Sequence, residues 1–417
     1  MKMGEQMVAQ HAIWPRVNDQ IFNISEKAQK AVKDFGKENV INATIGALMD
    51  DDGQLITLDT VFAEYKSLPN KEIAAYAPIV GSKEYLDAVE KACFRDFRPD
   101  AHIVSVASPG GLGSIKLAVC NFTDEGDEIL TSDWFWSPYV SIAEEVGRKI
   151  GTYQLFDENN DFNFASFKEK FIEISNKQDR ILTILNTPAH NPTGYSVGDD
   201  EWDKIIDLSK KVAKNKDKKI VLFVDVAYID FARDDIEARR FFEKFSNLPA
   251  NILVIVGFSM SKGFTAYGMR MGACINITSD ADVADQIHYT LMHSCRANWS
   301  NSNRAPMKLL ANIMNDNDKF DAYIKEKDKY KDILVKRADA FVKASKECDL
   351  EILPYIDGFF ISIPCKNAKQ ISDELTKDNI FVVALKKGLR FAVCSVDEKK
   401  CYNAPRYIKR AIDKINK

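Results

Sequence analysis

The sequence predicts an α/β protein, with a large domain built on a mainly parallel sheet and a smaller α+β domain. Three observations carry this. Short β-branched runs recur that are apolar on both faces, as buried parallel strands are. Helical patterns fill the intervals between them. After about residue 310 the character changes to one long charged helix followed by short strands.

The apolar runs are Ile103–Ala107, Glu128–Thr131, Ile181–Leu185, Ile220–Asp225, Ile252–Gly257 and Ala273–Ile277. Between two of them, Trp202, Ile205, Ile206, Val212 and Ala213 fall on a single helical face, because residues three to four apart stack on one side of a helix. Residues 317–346 read as a long amphipathic helix. Strands are expected at Gly358–Ile363 and Leu389–Val393, and a basic helix at the C-terminus.

Composition narrows the function. Of 417 residues, 46% are hydrophobic and 28% charged, an ordinary globular balance,. At roughly 150 residues per domain, two or three domains are expected. The net charge of -4 argues against a nucleic-acid partner,. The longest apolar run, Ile252 to Phe258, is far short of a membrane span,. The opening MKMGEQMVAQ lacks a charged segment followed by an apolar one, so no signal peptide is expected,. Eight scattered cysteines form no CxxC pair, which reads as a reduced, cytoplasmic protein,. Five isolated histidines offer no metal-binding spacing,.

Four segments carry candidate chemistry. SMSKGFTAYGMRMG, Ser259 to Gly272, follows a strongly apolar strand. Active-site groups in such sheets sit at the carboxyl ends of strands. Lys262 there would be desolvated, which disfavours its ammonium form and makes the amine a nucleophile towards an aldehyde. Ser259, Ser261 and Arg270 add hydroxyls and a guanidinium suited to a phosphate dianion,. In VDVAY, Asp225 ends an apolar run, where a carboxylate is costly unless a cation such as a protonated ring nitrogen faces it,. HNPTG places Asn191 in a turn before proline, and SPGGLGSIK is a glycine-rich turn into a helix whose amides suit an anion,. Each also has an ordinary explanation: a loop lysine, a surface ion pair, a helix-capping aspartate, a plain Asn-Pro turn.

Their conjunction is more specific. The Ser-x-Ser-Lys…Gly-x-Arg-x-Gly signature, with Asn-Pro-x-Gly and Asp-x-Ala-Tyr upstream, resembles the class I aspartate/aromatic aminotransferases among the fold-type I enzymes that use pyridoxal 5'-phosphate (PLP). The resemblance runs from about Asn42 to Val396. It implies that Lys262 holds the cofactor as a Schiff base and then moves the proton at the substrate Cα. Asp225 would pair with the ring nitrogen, and Asn191 and Tyr228 would donate to the ring oxygen. Ser259, Arg270 and the backbone at Gly111 and Leu112 would hold the phosphate. Trp136, rather than Trp134, would stack on the ring. Tyr76, in AAYAPIVG, would reach a partner subunit's phosphate in a homodimer with shared sites. Gly46, in NATIGAL, would close over the substrate. Arg390, in GLRFAV, would grip the substrate α-carboxylate. Arg296, in RANWSN, would grip a side-chain carboxylate from across the dimer. The family's architecture divides the chain into a large domain, 49–325, and a small one made of 1–48 and 326–417.

Three departures stand out. Gly110, Gly111 and Leu112 replace hydroxyl residues at the phosphate turn, Tyr139 replaces a histidine behind Asp225, and Asn303 and Arg304 replace a proline pair. The expected reaction is ping-pong transfer of an amino group between aspartate, glutamate or aromatic amino acids and a 2-oxo acid such as 2-oxoglutarate. The rivals are a β-lyase or decarboxylase on the same fold, and a PLP-binding regulator without turnover.

Overall fold

The computed structural model describes residues 7–14 and 20–416. The expectation of no signal peptide rests partly on residues 1–6, which lie outside the described residues. The strands in chain order are β1 (Ile41–Ala43), β2 (His102–Ser108), β3 (Glu128–Ser132), β4 (Lys149–Tyr153), β5 (Arg180–Asn186), β6 (Lys219–Asp225), β7 (Ile252–Ser259), β8 (Gly272–Thr278), β9 (Phe360–Pro364), β10 (Ile380–Leu385) and β11 (Gly388–Ala392).

All six apolar runs become strands of one seven-stranded sheet, ordered β2-β8-β7-β6-β5-β3-β4. Its pairings are parallel except those of β8, which runs antiparallel to both β2 and β7. Every residue of β7 is buried, and each large aliphatic side chain so buried stabilises the fold by about 1.5–3 kcal/mol. A charge placed at Ile255, which has no exposed surface, would lie unpaired in the core and break this layer. The strand of this sheet absent from the sequence reading is β4. It is one edge of the sheet, and Lys149 and Thr152 are exposed.

The helix Asp199–Val212 buries Trp202, Ile205 and Ile206 against the sheet's main core. Indole rings and phenyls pack there in pairs, Trp202 stacking on Phe241 at 5.0 Å between centroids,.

A second sheet, ordered β1-β10-β11-β9, draws its first strand from residues 41–43 and the others from beyond residue 359. Here β1 and β10 are parallel and the rest antiparallel. The long helix is Asn317–Glu347 and runs unbroken across positions 325 and 326. The C-terminal helix is Glu398–Ile415. Among the described residues, no helix is long and apolar enough to cross a membrane.

Candidate active site

The parallel register aligns the carboxyl ends of β5, β6 and β7, with Asn186 opposite Asp225 and Asp225 opposite Gly257. A cavity of about 370 Å³ opens above this rim. Gly46, Gly111, Leu112, Trp136, Asn191, Asp225, Tyr228, Ser259, Lys262, Arg270 and Arg390 all line it. These are the sequence-derived candidates apart from Tyr76 and Arg296.

Asp225 ends β6 with 6% of its surface exposed. Tyr139 donates to its Oδ2 across 2.7 Å, and the Ala227 amide donates to its Oδ1 at 3.2 Å. Burial pushes the carboxyl above the usual carboxylate range, and the two donors partly pull it back,. A buried carboxylate with free lone pairs facing a cavity suits a cationic ring N–H, which would supply the missing counter-charge.

Lys262 follows β7 on a single helical turn, Met260–Gly263. Its Nζ donates to the Gly46 carbonyl at 2.7 Å. The rings of Tyr267, Tyr228 and Phe359 surround that nitrogen at 4.6, 5.6 and 5.8 Å. Desolvation lowers the amine to about 8, with Arg390 and Arg270 pushing the same way,. The neutral, nucleophilic form is thereby brought near physiological pH.

One end of the cavity suits a phosphate. The helix Gly110–Phe122 starts there, and amides in its first turn, including those of Gly111 and Leu112, lack helical partners,. The Ser259 hydroxyl accepts from the Ser261 amide at 3.2 Å, and the Arg270 guanidinium lies 3.5 Å from the Ser261 hydroxyl. Gly110 has φ +71, and a Cβ there would lie 2.7 Å from Arg270 Nη2. Only glycine lets the turn come so near the guanidinium. Arg270 itself is left-handed at φ 51, a conformation that costs an L side chain energy and clusters at functional sites.

The other end suits a carboxylate. Arg390, on β11 and 4% exposed, donates to the Thr44 carbonyl at 2.9 Å and to Asn191 Oδ1 at 3.4 Å. Its guanidinium packs 4.3 Å over the Phe360 ring,. Asn191 Nδ2 lies 3.5 Å from the Tyr228 hydroxyl, so two donors converge on one side of the cavity. Burial raises the Tyr228 phenol, keeping it a proton donor,.

Trp136 borders the cavity, its ring edge-on to Tyr139 at 5.6 Å. Trp134 is instead buried in the main core. Tyr76 is 88% exposed and Arg296 is exposed, its guanidinium bonded to Ser300 Oγ at 2.6 Å. Neither lines this chain's cavity. Asn303 caps the helix Arg304–Met314, and Arg304 forks onto Glu72 Oε2 at 2.7 and 3.0 Å.

Sequence reasoning missed six lining residues, among them Asn186, Tyr267 and Phe360. Tyr267 lies inside the quoted lysine segment. Asn186 follows the run Ile181–Leu185 directly. Phe360 carried no signal beyond a strand pattern.

Fold and cavity together place the chain among the fold-type I PLP-dependent transferases. Within that class it belongs to the family described as aminotransferase class I and II, whose model matches residues 38–408. The aromatic-amino-acid aminotransferase of Escherichia coli is 26% identical over 297 residues, covering 68% of this chain and 71% of that one. The aspartate aminotransferase of Pseudomonas aeruginosa is 26% identical over 286 residues, covering 66% and 68%. The crystal structure of an aminotransferase from Anaerococcus prevotii superposes with a TM-score of 0.96 at 40% identity, covering 98% of this chain and all 100% of that one. An aromatic-amino-acid aminotransferase from Burkholderia pseudomallei, covalently bound to pyridoxal phosphate, shares the fold at TM-score 0.79 and 22% identity, covering 96% and 98%. This chain is a PLP-dependent aminotransferase of the aspartate/aromatic type.

Proposed function

We propose that the protein exchanges an amino group between aspartate, glutamate or aromatic amino acids and a 2-oxo acid such as 2-oxoglutarate, in two half-reactions at one cavity. The observation that carries this is the placement of Lys262, Asp225, Arg270 and Arg390 around a single cavity. The four groups supply an amine, a counter-anion, a phosphate clamp and a carboxylate clamp.

Bound there, PLP acts as an electron sink for the pair left at the substrate Cα. The residues do the rest. Lys262 carries the cofactor and, once released, moves the proton at Cα with an amine that burial holds near neutrality,. Asp225 keeps the ring nitrogen protonated. Asn191 and Tyr228 donate to the ring oxygen, and Trp136 covers the ring face. Ser259, Arg270 and the Gly111 and Leu112 amides hold the phosphate. Arg390 grips the α-carboxylate by a bidentate pair, and Gly46 lies against the bound substrate.

The same reading assigns a homodimer. Tyr76 and Arg296 are both exposed and outside their own chain's cavity, as residues serving a partner's site would be. It divides the chain into 49–325 and 1–48 with 326–417. Support comes from β1, which pairs with β10 in the second sheet. It also places the protein in the cytoplasm, in keeping with eight free cysteines,. A panel of amino donors assayed against 2-oxoglutarate tests the function. Donor-dependent glutamate formation supports it, and release of carbon dioxide or of a side-chain fragment in its place refutes it.

A further inference from the structure

The segment Thr44 to Met49 meets the cavity wall at Gly46, and polar contacts hold it along its length. The Thr44 carbonyl accepts from Arg390 at 2.9 Å and the Gly46 carbonyl from Lys262 at 2.7 Å. The Leu48 amide donates to the Tyr267 hydroxyl at 2.9 Å, and the Met49 amide to the Cys394 carbonyl at 3.0 Å. Packing is equally close: a Cβ on Gly46 would lie 2.7 Å from Phe360 Cζ.

Two of these tethers use side chains that the reaction needs elsewhere. Lys262 cannot donate to Gly46 in the same way while its nitrogen is bonded to the cofactor. Arg390 must share its donors with a substrate carboxylate. Tyr267 has no such second duty. It lies five positions after Lys262, and its ring faces the lysine nitrogen at 4.6 Å. Its hydroxyl is therefore the fixed point joining this segment to the turn that carries the lysine.

We propose that Tyr267 is a positioning residue for transamination. Its hydroxyl holds Gly46 to Leu48 against the lysine turn while Lys262 alternates between the cofactor and the Gly46 carbonyl. The released amine then returns to one fixed acceptor, with an N–H directed at Gly46 and its lone pair left for the Cα proton. This rests on the reading that Lys262 carries the cofactor.

Tyr267→Phe tests it, because the ring stays against Lys262 and only the hydroxyl goes. On the holoenzyme, amide hydrogen exchange across residues 44–49, the single-turnover half-reaction rate and the melting temperature are measured together. The expected result is faster exchange confined to the Leu48 region, with an unchanged melting temperature. The half-reaction should slow by about five-fold for aspartate and for phenylalanine alike, the change that one neutral hydrogen bond supports. Wild-type exchange at Leu48 overturns the proposal, as does faster exchange with a wild-type half-reaction rate. Faster exchange throughout the chain with a lower melting temperature also overturns it, showing a general structural role. Borohydride labelling of a lysine other than Lys262 would refute the underlying reading instead, whatever Tyr267→Phe does.

Discussion

Tyr139 donates a hydrogen bond from its hydroxyl to Oδ2 of Asp225 across 2.7 Å, with both groups buried and Asp225 lining the cavity. A phenol in this position stays neutral, since burial and the neighbouring carboxylate push its own ionisation well above the ordinary value,. It therefore supports the charged form of Asp225 at every working pH. Burial works the other way and raises the carboxyl from 3.8.

Tyr139→Phe should consequently let Asp225 hold its proton to a higher pH. A hydrogen bond to a charged group contributes about 1.5 kcal/mol or more, which is about one pH unit. A protonated Asp225 cannot balance a cationic ring nitrogen. Cofactor affinity should then begin to weaken, as pH falls, about one unit earlier than in the wild type. Titration of PLP into the apoprotein at several pH values, followed by absorbance, measures this. Superimposable curves would show that the phenol only fills space.

The amine of Lys262, lowered to about 8 by desolvation, should also betray itself kinetically. Its neutral form is populated at a pH where ordinary lysines, near 10.4, remain almost wholly protonated. The rate at which apoprotein captures PLP should rise with pH through a midpoint of about 8. Borohydride reduction followed by peptide mapping should place the cofactor on Lys262, and Lys262→Ala should abolish both capture and turnover. A midpoint near that of a surface lysine would contradict the role of burial.

Much of this was legible in the sequence, for physical reasons. Buried parallel strands such as β7 need apolar residues on both faces, so their runs and the residues at their carboxyl ends stand out. An edge strand has no such need, and β4 mixes exposed Lys149 and Thr152 with buried Gly151 and Tyr153 over a short stretch. Contacts between distant segments leave little local trace. Nothing around Leu48 signals that its amide finds the hydroxyl of Tyr267. The charged pattern from 317 to 346 marks a change of character but no boundary, because the helix runs unbroken through it. The structure separates Trp134 from Trp136 by burial, Trp134 being 6% exposed within the core and Trp136 bordering the cavity.

Composite sites can be tested by mixing inactive subunits. Lys262→Ala and Arg296→Ala subunits, co-refolded, should recover activity towards aspartate. In each hybrid dimer, one cavity would combine the intact Lys262 of one subunit with the intact Arg296 of the other. The second cavity would lack both. If hybrids are shown to form and no activity returns, Arg296 does not act across a dimer.

Arg296 and Arg390 should differ in which substrates they govern. Every amino acid presents an α-carboxylate, so Arg390→Ala should damage every reaction. Only aspartate and glutamate carry a second carboxylate. Truncating one partner of a buried charge pair costs roughly 2–5 kcal/mol, largely because the other charge is left unpaired. Arg296→Ala should therefore lower kcat/KM for aspartate by orders of magnitude. An aromatic donor has no charge to lose at that place and gains a less polar wall. Because the comparison is between two substrates on one variant, any general loss of folded protein cancels. The single-chain geometry sharpens the test: Arg296 is exposed and bonded to Ser300 Oγ at 2.6 Å, so a purely local role would affect all substrates equally. Equal losses for aspartate and phenylalanine would assign Arg296 to its contact with Ser300 and leave Arg390 as the cavity's carboxylate clamp.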